Sequence, residues 1–170
     1  MFAVGVFGCD KLVAKYEKDN DDYSKIMAQA LADRLAEAYA EALHRIMRME
    51  TWGFCSDEKI DNSDLLKCKF EGIRPAPGYP SQPDHTEKKT MWNLLQAEQE
   101  IGLQLSDSYA MMPASAVSAL VFGHQDSKYF AVGAVNKDQI SSYAERKGDT
   151  LETIERWLAP ILNYDDARKK

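Results

Sequence analysis

The longest regular alternation of apolar and polar positions runs over residues 22–50 and predicts a long helix. Ala, Leu, Met, Glu and Arg dominate it, all strong helix formers. Met27, Leu31, Leu35, Ala38, Ala42 and Ile46 recur at i, i+3/i+4 spacing, which predicts one apolar stripe turned to the core. Asp33, Glu37 and His44 fall on a different face, interleaved with Ala30 and Ala40. Small alanines beside carboxylates leave room for something to lie there, although a solvated face with spare acids has the same pattern.

Shorter patterns flank this helix. Residues 2–7 read as a buried strand and 9–16 as a short helix, followed by an acidic break over 17–22 that supplies N-cap candidates. Asn62-Ser63-Asp64 can cap a short helix ending by Cys68. Thr86 is the expected N-cap of a helix over 87–101, with Glu87 favourable in its first turn and Gly102 as its stop. Met111-Met112-Pro113-Ala114-Ser115 is a bend leading into strand-like runs at 116–122 and 129–135, joined by 123–127 as an antiparallel hairpin. Closing helices are expected over 137–147 and 150–162, the second capped by Asp149 or Thr150 and docked on the core through Trp157, Ile161 and Leu162. No internal repeat or low-complexity segment interrupts this order.

Between these elements lies a loop whose shape is nearly dictated by composition. Pro75, Pro77, Pro80 and Pro83 fall within nine residues, each fixing its own φ and extending the residue before it. Gly78 is the permissive joint, placed where the chain turns or where something approaches its backbone. Arg74 stands at the loop's entrance and Tyr79 near its middle. A rigid loop carrying an arginine and an aromatic suits binding, because little entropy is lost when a ligand docks on it.

Composition narrows the functional classes. With 170 residues, 45% hydrophobic and 28% charged, the chain fills one core without disulfides or metals as staples. A net charge of −6 argues against a general binder of nucleic acid or anionic membrane, and Arg168-Lys169-Lys170 is too short to make a basic stripe. Cys9, Cys55 and Cys68 are scattered, without a CxxC pair, and read as reduced thiols. His44, His85 and His124 lack metal-ligand spacing. No apolar run reaches transmembrane length and no signal peptide opens the chain, so a cytoplasmic location is expected.

The chain lacks GxGxxG, Walker, GxSxG and HExxH motifs, and no nucleophile is marked by spacing. Its polar residues instead describe a cleft for a small polar molecule. Arg74 can clamp a carboxylate or phosphate, Glu37 or Asp33 can meet an ammonium group or ribose hydroxyls, and Tyr79, Tyr129 and Phe130 can bracket a flat ring.

The run Arg74-Pro75-Ala76-Pro77-Gly78-Tyr79-Pro80-Ser81-Gln82-Pro83-Asp84-His85-Thr86-Glu87-Lys88 resembles the activation domain of cobalamin-dependent methionine synthase. So do Asp22-Tyr23-Ser24-Lys25-Ile26-Met27, Ala32-Asp33-Arg34-Leu35-Ala36-Glu37-Ala38, Ser127-Lys128-Tyr129-Phe130-Ala131-Val132-Gly133 and Glu155-Arg156-Trp157-Leu158-Ala159-Pro160. The resemblance spans almost the whole chain and implies an α+β fold, a twisted antiparallel sheet flanked by helices. It also implies binding of S-adenosylmethionine and docking on a cobalamin-binding module. In that family an electron from flavodoxin or a diflavin reductase reduces oxidised cobalamin, and S-adenosylmethionine remethylates it. By resemblance Arg74 meets the ligand's carboxylate, Tyr129 and Phe130 are paired binding positions, Glu37 is a helix acid near the ligand, the backbone near Ala76 lies along it, and Tyr79 faces the corrin.

Family activation domains are about twice this length, and their front half contributes an acid for the ligand's amino group. The resemblance therefore covers the back half, read as a single partial domain over residues 1–170 and not catalytic by itself. A strand starting at Phe2 has no preceding partner in this chain, so an uncovered edge or face, and self-association, are expected. The other reading is an interaction module that docks on a cobalamin domain or reductase without binding S-adenosylmethionine.

Overall fold

A computed structural model describes residues 1–165; Arg168-Lys169-Lys170 lies outside the described residues. Strand β1 (Phe2–Gly5) pairs antiparallel with β4 (Ala116–Ala119), Phe2 opposite Ala119 and Gly5 opposite Ala116. A second ladder joins β2 (Gln104–Leu105) to β3 (Met111–Met112). Around these small sheets stand α1 (Cys9–Lys18), α2 (Asp22–Ile46), α3 (Asn62–Leu66), α4 (Glu87–Leu95), α5 (Ala97–Ile101), α6 (Lys137–Lys147) and α7 (Leu151–Leu158). The expected α+β class, helices flanking antiparallel strands, is what the chain adopts.

Local chemistry sets most of the boundaries. Asp21 caps α2 by accepting from the Ser24 amide at 3.0 Å. Asp61, one residue before the expected caps, does the same for α3 through the Asp64 amide at 2.8 Å. Asn136 and Gln139 form a capping box on α6, and Thr150 caps α7. Gly102 and Gly148 end their helices in the left-handed conformation.

Three sequence expectations need correction. The first is the direction in which α2 faces. Its buried positions are Ala32, Ala36, Ala40 and His44, whereas Leu31 is 57% and Leu35 60% exposed, and Met27, Ala38, Ala42 and Ile46 are exposed too. The alanine ridge lets the helix axis lie close on the sheet, where Ala40 packs with Phe2, Val4 and Ala119. Close approach there turns the neighbouring ridge of large side chains outward.

The second correction concerns residues 129–135, which form no hairpin with β4. They run as an irregular strap that bonds Val132 to Pro80 at 2.9 Å and Val135 to Ile161 at 2.8 Å. The side of β4 away from β1 is taken instead by the loop after Gly72: Ile73 exchanges backbone bonds with Phe122, and the Leu120 amide donates to Pro75. The third is the helix over 87–101, which breaks at Gln96, in the left-handed region at φ 51°, into α4 and α5.

Two further clusters complete the packing. Met91, Trp92, Ala97 and Leu103 fill the space under the sheet, with the Trp92 indole N–H donating to the Leu103 carbonyl at 2.6 Å. Val135, Ile140, Ala144, Ile154 and Leu158 make the core of α6 and α7, with Ile161 and Leu162 packed against it as expected, whereas Trp157 meets the Tyr109 ring at 5.2 Å instead. Cys9, Cys55 and Cys68 are free thiols.

Candidate functional site

The proline-rich loop is held from both sides. Its first half lies along β4, so antiparallel geometry turns the main-chain N–H groups of Arg74 and Ala76 away from the ladder. The Arg74 amide is taken by the Tyr129 hydroxyl at 2.9 Å, which fastens the strap to the loop. At Gly78 the chain adopts φ +97°, and a Cβ there would stand 2.1 Å from the His85 ring. The permissive joint read from the sequence is thus both a left-handed turn and a close approach.

The loop's far end is anchored by a polar cluster on α6. Buried Asp84 accepts from Lys147 Nζ at 2.7 Å, from the Tyr143 hydroxyl at 2.6 Å, and from the Thr86 amide at 2.8 Å. Burial pushes the Asp84 carboxyl upward, but the bonds from Lys147, Tyr143 and Thr86 outweigh it and hold the group below its ordinary value. Burial acts downward on Lys147, and Asp84 and Glu87 together raise it well above the ordinary lysine range.

Arg74 is positioned by the carboxy-terminal end of α2. Its guanidinium reaches Glu41 Oε2 at 2.6 Å and His44 Nδ1 at 3.0 Å. His44 is fully buried, edge-on to Phe70 at 5.2 Å. Burial first, then the charges of Arg48 and Arg74, depress its pKa to about 3, so the ring is neutral and accepts from Arg74. Arg48, one turn on, makes a bidentate pair with Glu58 at 2.6 and 2.8 Å and stacks on Phe70 at 4.1 Å. Helical spacing alone puts His44 on an open face; the fold buries it in this cationic end of α2.

These constraints shape a cleft of about 710 Å³ between α2, the loop, β4 and the strap. Glu37, Arg74, Ala76, Tyr79, Tyr129 and Phe130, six of the seven positions singled out in the sequence, line it. Tyr79 is 63% exposed, and Tyr129 and Phe130 are exposed at the mouth. Asp33 lies outside the lining and accepts from the Ser115 hydroxyl at 2.6 Å.

The sequence pattern does not single out His85, Lys88 and Ser118, which also line the cleft. Lys88 is buried and donates to His85 Nδ1 at 2.8 Å and to the Tyr109 carbonyl at 2.9 Å. Burial lowers its pKa; burial and the Lys88 charge lower that of His85, with Asp84 opposing. Ser118 is buried, and among the described residues its hydroxyl has no hydrogen-bond partner. Only the short spacing from Gly78 to His85 and Lys88 hints at their involvement.

A cleft of this size falls in the range of about 300–1,000 Å³ that small-molecule sites occupy. Among the described residues no group of three or more His, Cys, Asp or Glu is placed to hold a metal, and no helix is long and apolar enough to cross a membrane. Fold and cleft together define a small α+β module in which a rigid loop walls a cleft of small-molecule size. Over residues 1–148 the chain matches the family described as vitamin B12 dependent methionine synthase, activation domain, and it belongs to that family. It is also similar to the crystal structure of the MetH reactivation domain bound to AdoHcy, at 50% sequence identity and a TM-score of 0.91. That match covers 92% of this chain and 48% of the other, so this chain spans about half the length of its structural relative.

Proposed function

We propose that the cleft binds S-adenosylmethionine and that the module serves the reductive reactivation of a cobalamin held by a partner module. The observation that carries this reading is convergence: six positions from α2, the loop and the strap line one cleft. Its chemistry fits a zwitterion with a flat base. Arg74 has five N–H donors, and its bonds to Glu41 and His44 leave others for a carboxylate. Glu37 supplies negative charge for an ammonium group or acceptors for ribose hydroxyls. The outward amide of Ala76 offers a main-chain donor along the ligand, and Tyr129 and Phe130 offer apolar faces to adenine.

When bound, S-adenosylmethionine supplies a methyl group on a sulfonium sulfur, which reduced cobalt can accept. The chain's own residues bind and orient that molecule. Tyr79 lies at the cleft and is well exposed, suited to meeting the corrin of the docked partner. Flavodoxin or a diflavin reductase is the proposed electron source, and the setting is cytoplasmic methionine biosynthesis.

A second reading, docking on a cobalamin domain or reductase without this ligand, is favoured by the pairing of Arg74 with Glu41. Calorimetry separates the two. Arg74→Ala is expected to weaken S-adenosylmethionine binding at least roughly tenfold, as loss of a charge-assisted pair worth about 1.5–3 kcal/mol implies. Affinity unchanged in the variant, or no heat with the wild-type chain, contradicts the ligand-binding reading and leaves the docking one.

A further inference from the structure

Two polar side chains stand behind the cleft and spend their hydrogen bonds on Arg74. Glu37, Glu41 and His44 follow i, i+4, i+7 spacing along one side of α2. Glu37 lines the cleft, whereas Glu41 and His44 do not, and lie one and two turns further along the helix. Among the described residues the hydrogen-bond partner of both side chains is Arg74: Glu41 Oε2 accepts from Nη2 at 2.6 Å, and His44 Nδ1 from Nη1 at 3.0 Å. Their other polar atoms, Glu41 Oε1 and His44 Nε2, are buried with no partner among those residues. Polar atoms left in that state are costly, which sets the two residues apart from an ordinary solvated helix face.

The main chain of Arg74 is pinned as firmly as its side chain. Ile73 exchanges backbone bonds with Phe122, the Pro75 carbonyl accepts from Leu120, and the Arg74 amide donates to the Tyr129 hydroxyl. A guanidinium is planar, so an acceptor at each terminal nitrogen fixes both its place and the plane of its remaining N–H groups. Those are the Nε–H and a second N–H on each terminal nitrogen. An arginine held this way loses little further freedom when a ligand arrives.

We propose that Glu41 and His44 are positioning residues, which give the cleft its preference for a ligand bearing a carboxylate by holding the Arg74 guanidinium in the orientation that receives it. The pairing of Arg74 with Glu41 is then part of the binding apparatus and not a rival to it. His44 is neutral and acts only as an acceptor. Glu41 carries the same charge as the incoming carboxylate, so by charge alone its removal would tighten binding. Positioning predicts the opposite sign.

The inference rests on the S-adenosylmethionine reading, and calorimetry with two ligands tests it apart from that reading. S-adenosylmethionine and its decarboxylated form, which lacks only the carboxylate, are titrated into the full chain and its variants. Wild type should prefer the carboxylate-bearing ligand at least roughly tenfold. Glu41→Ala and His44→Leu should each cut that preference to roughly threefold or less, by weakening S-adenosylmethionine binding and leaving the decarboxylated ligand as it was. Glu41→Gln and His44→Asn keep an acceptor for Arg74 and should recover most of the preference. Alanine suits a helix interior, so the Glu41 arm is readable even where His44→Leu folds poorly. Five results overturn the inference and leave the ligand reading standing: a wild type without preference, a preference unchanged in Glu41→Ala, tighter S-adenosylmethionine binding in that variant, equal weakening of both ligands, or a Glu41→Gln variant as defective as Glu41→Ala. A wild-type chain that binds neither ligand overturns the reading itself, and this inference with it.

Discussion

Gly78 carries two constraints that no other residue type meets together. Its φ of +97° disfavours any side chain, and the His85 ring fills the space where a Cβ would lie. Gly78→Ala is therefore expected to cost about 1–3 kcal/mol from backbone strain alone, with a steric term added. Thermal melts should show a fall of several degrees, and adding His85→Ala should recover the steric part but not the strain. His44 makes a different prediction, through pH. Its folded pKa of about 3 lies below its ordinary 6.5, so between those values the unfolded chain binds the extra proton. Stability from this group is complete above about pH 6.5 and lost as pH falls toward 3, with a slope of up to about 1.4 kcal/mol per pH unit. Chemical denaturation at several pH values should show that slope, flattened in His44→Gln.

Elements are held in place by polar clusters at their ends as much as by apolar packing. Lys147 on α6 ties Asp84, Thr86 and Glu87, and so fixes where the proline-rich loop meets α4. Lys147→Met leaves the Asp84 carboxylate buried without its cation. The expected loss is at or below the about 3–5 kcal/mol of a broken fully buried pair, since Lys147 retains some solvent contact. Denaturation midpoints check the size. The depressed Asp84 carboxyl adds an acid limb, present above its ordinary 3.8 and lost below it, which this variant should shrink.

Much at this scale was legible in the sequence. Residues 9–16, 22–50 and 137–147 announced helices by propensity and spacing, and the prolines announced the loop. The facing of α2 was not legible, because periodicity identifies a stripe without saying which of two adjacent ridges meets the sheet, and size favoured the leucines over the alanines. The strap over 129–135 has the composition of a strand, but the loop occupies the edge of β4 first. Residue chemistry marked Arg74, Glu37, Tyr79, Tyr129 and Phe130 as candidates and the resemblance added Ala76, but that they line one cleft is legible only in the fold. Lys88 and Ser118 were not marked, since each looks like an ordinary surface residue until the fold buries it.

Across the whole molecule, the cleft opens between parts anchored separately: α2 with the sheet, and the loop with α6. Tyr79 projects from that boundary and is free of the core, so Tyr79→Ala should leave the melting temperature near wild type while weakening association with a cobalamin module in a pull-down. A large drop in stability would instead make the ring a core anchor. The central claim is that the cleft, rather than any other surface, receives S-adenosylmethionine. An amide-resolved NMR titration of the full chain tests it most directly. The account predicts saturable shifts at residues 74–80, around Glu37 and at 129–131, with the groove between α1 and α2, lined by Phe7, Leu12 and Leu31, unmoved. Absence of shifts at millimolar ligand, or shifts gathered in that groove, would contradict it.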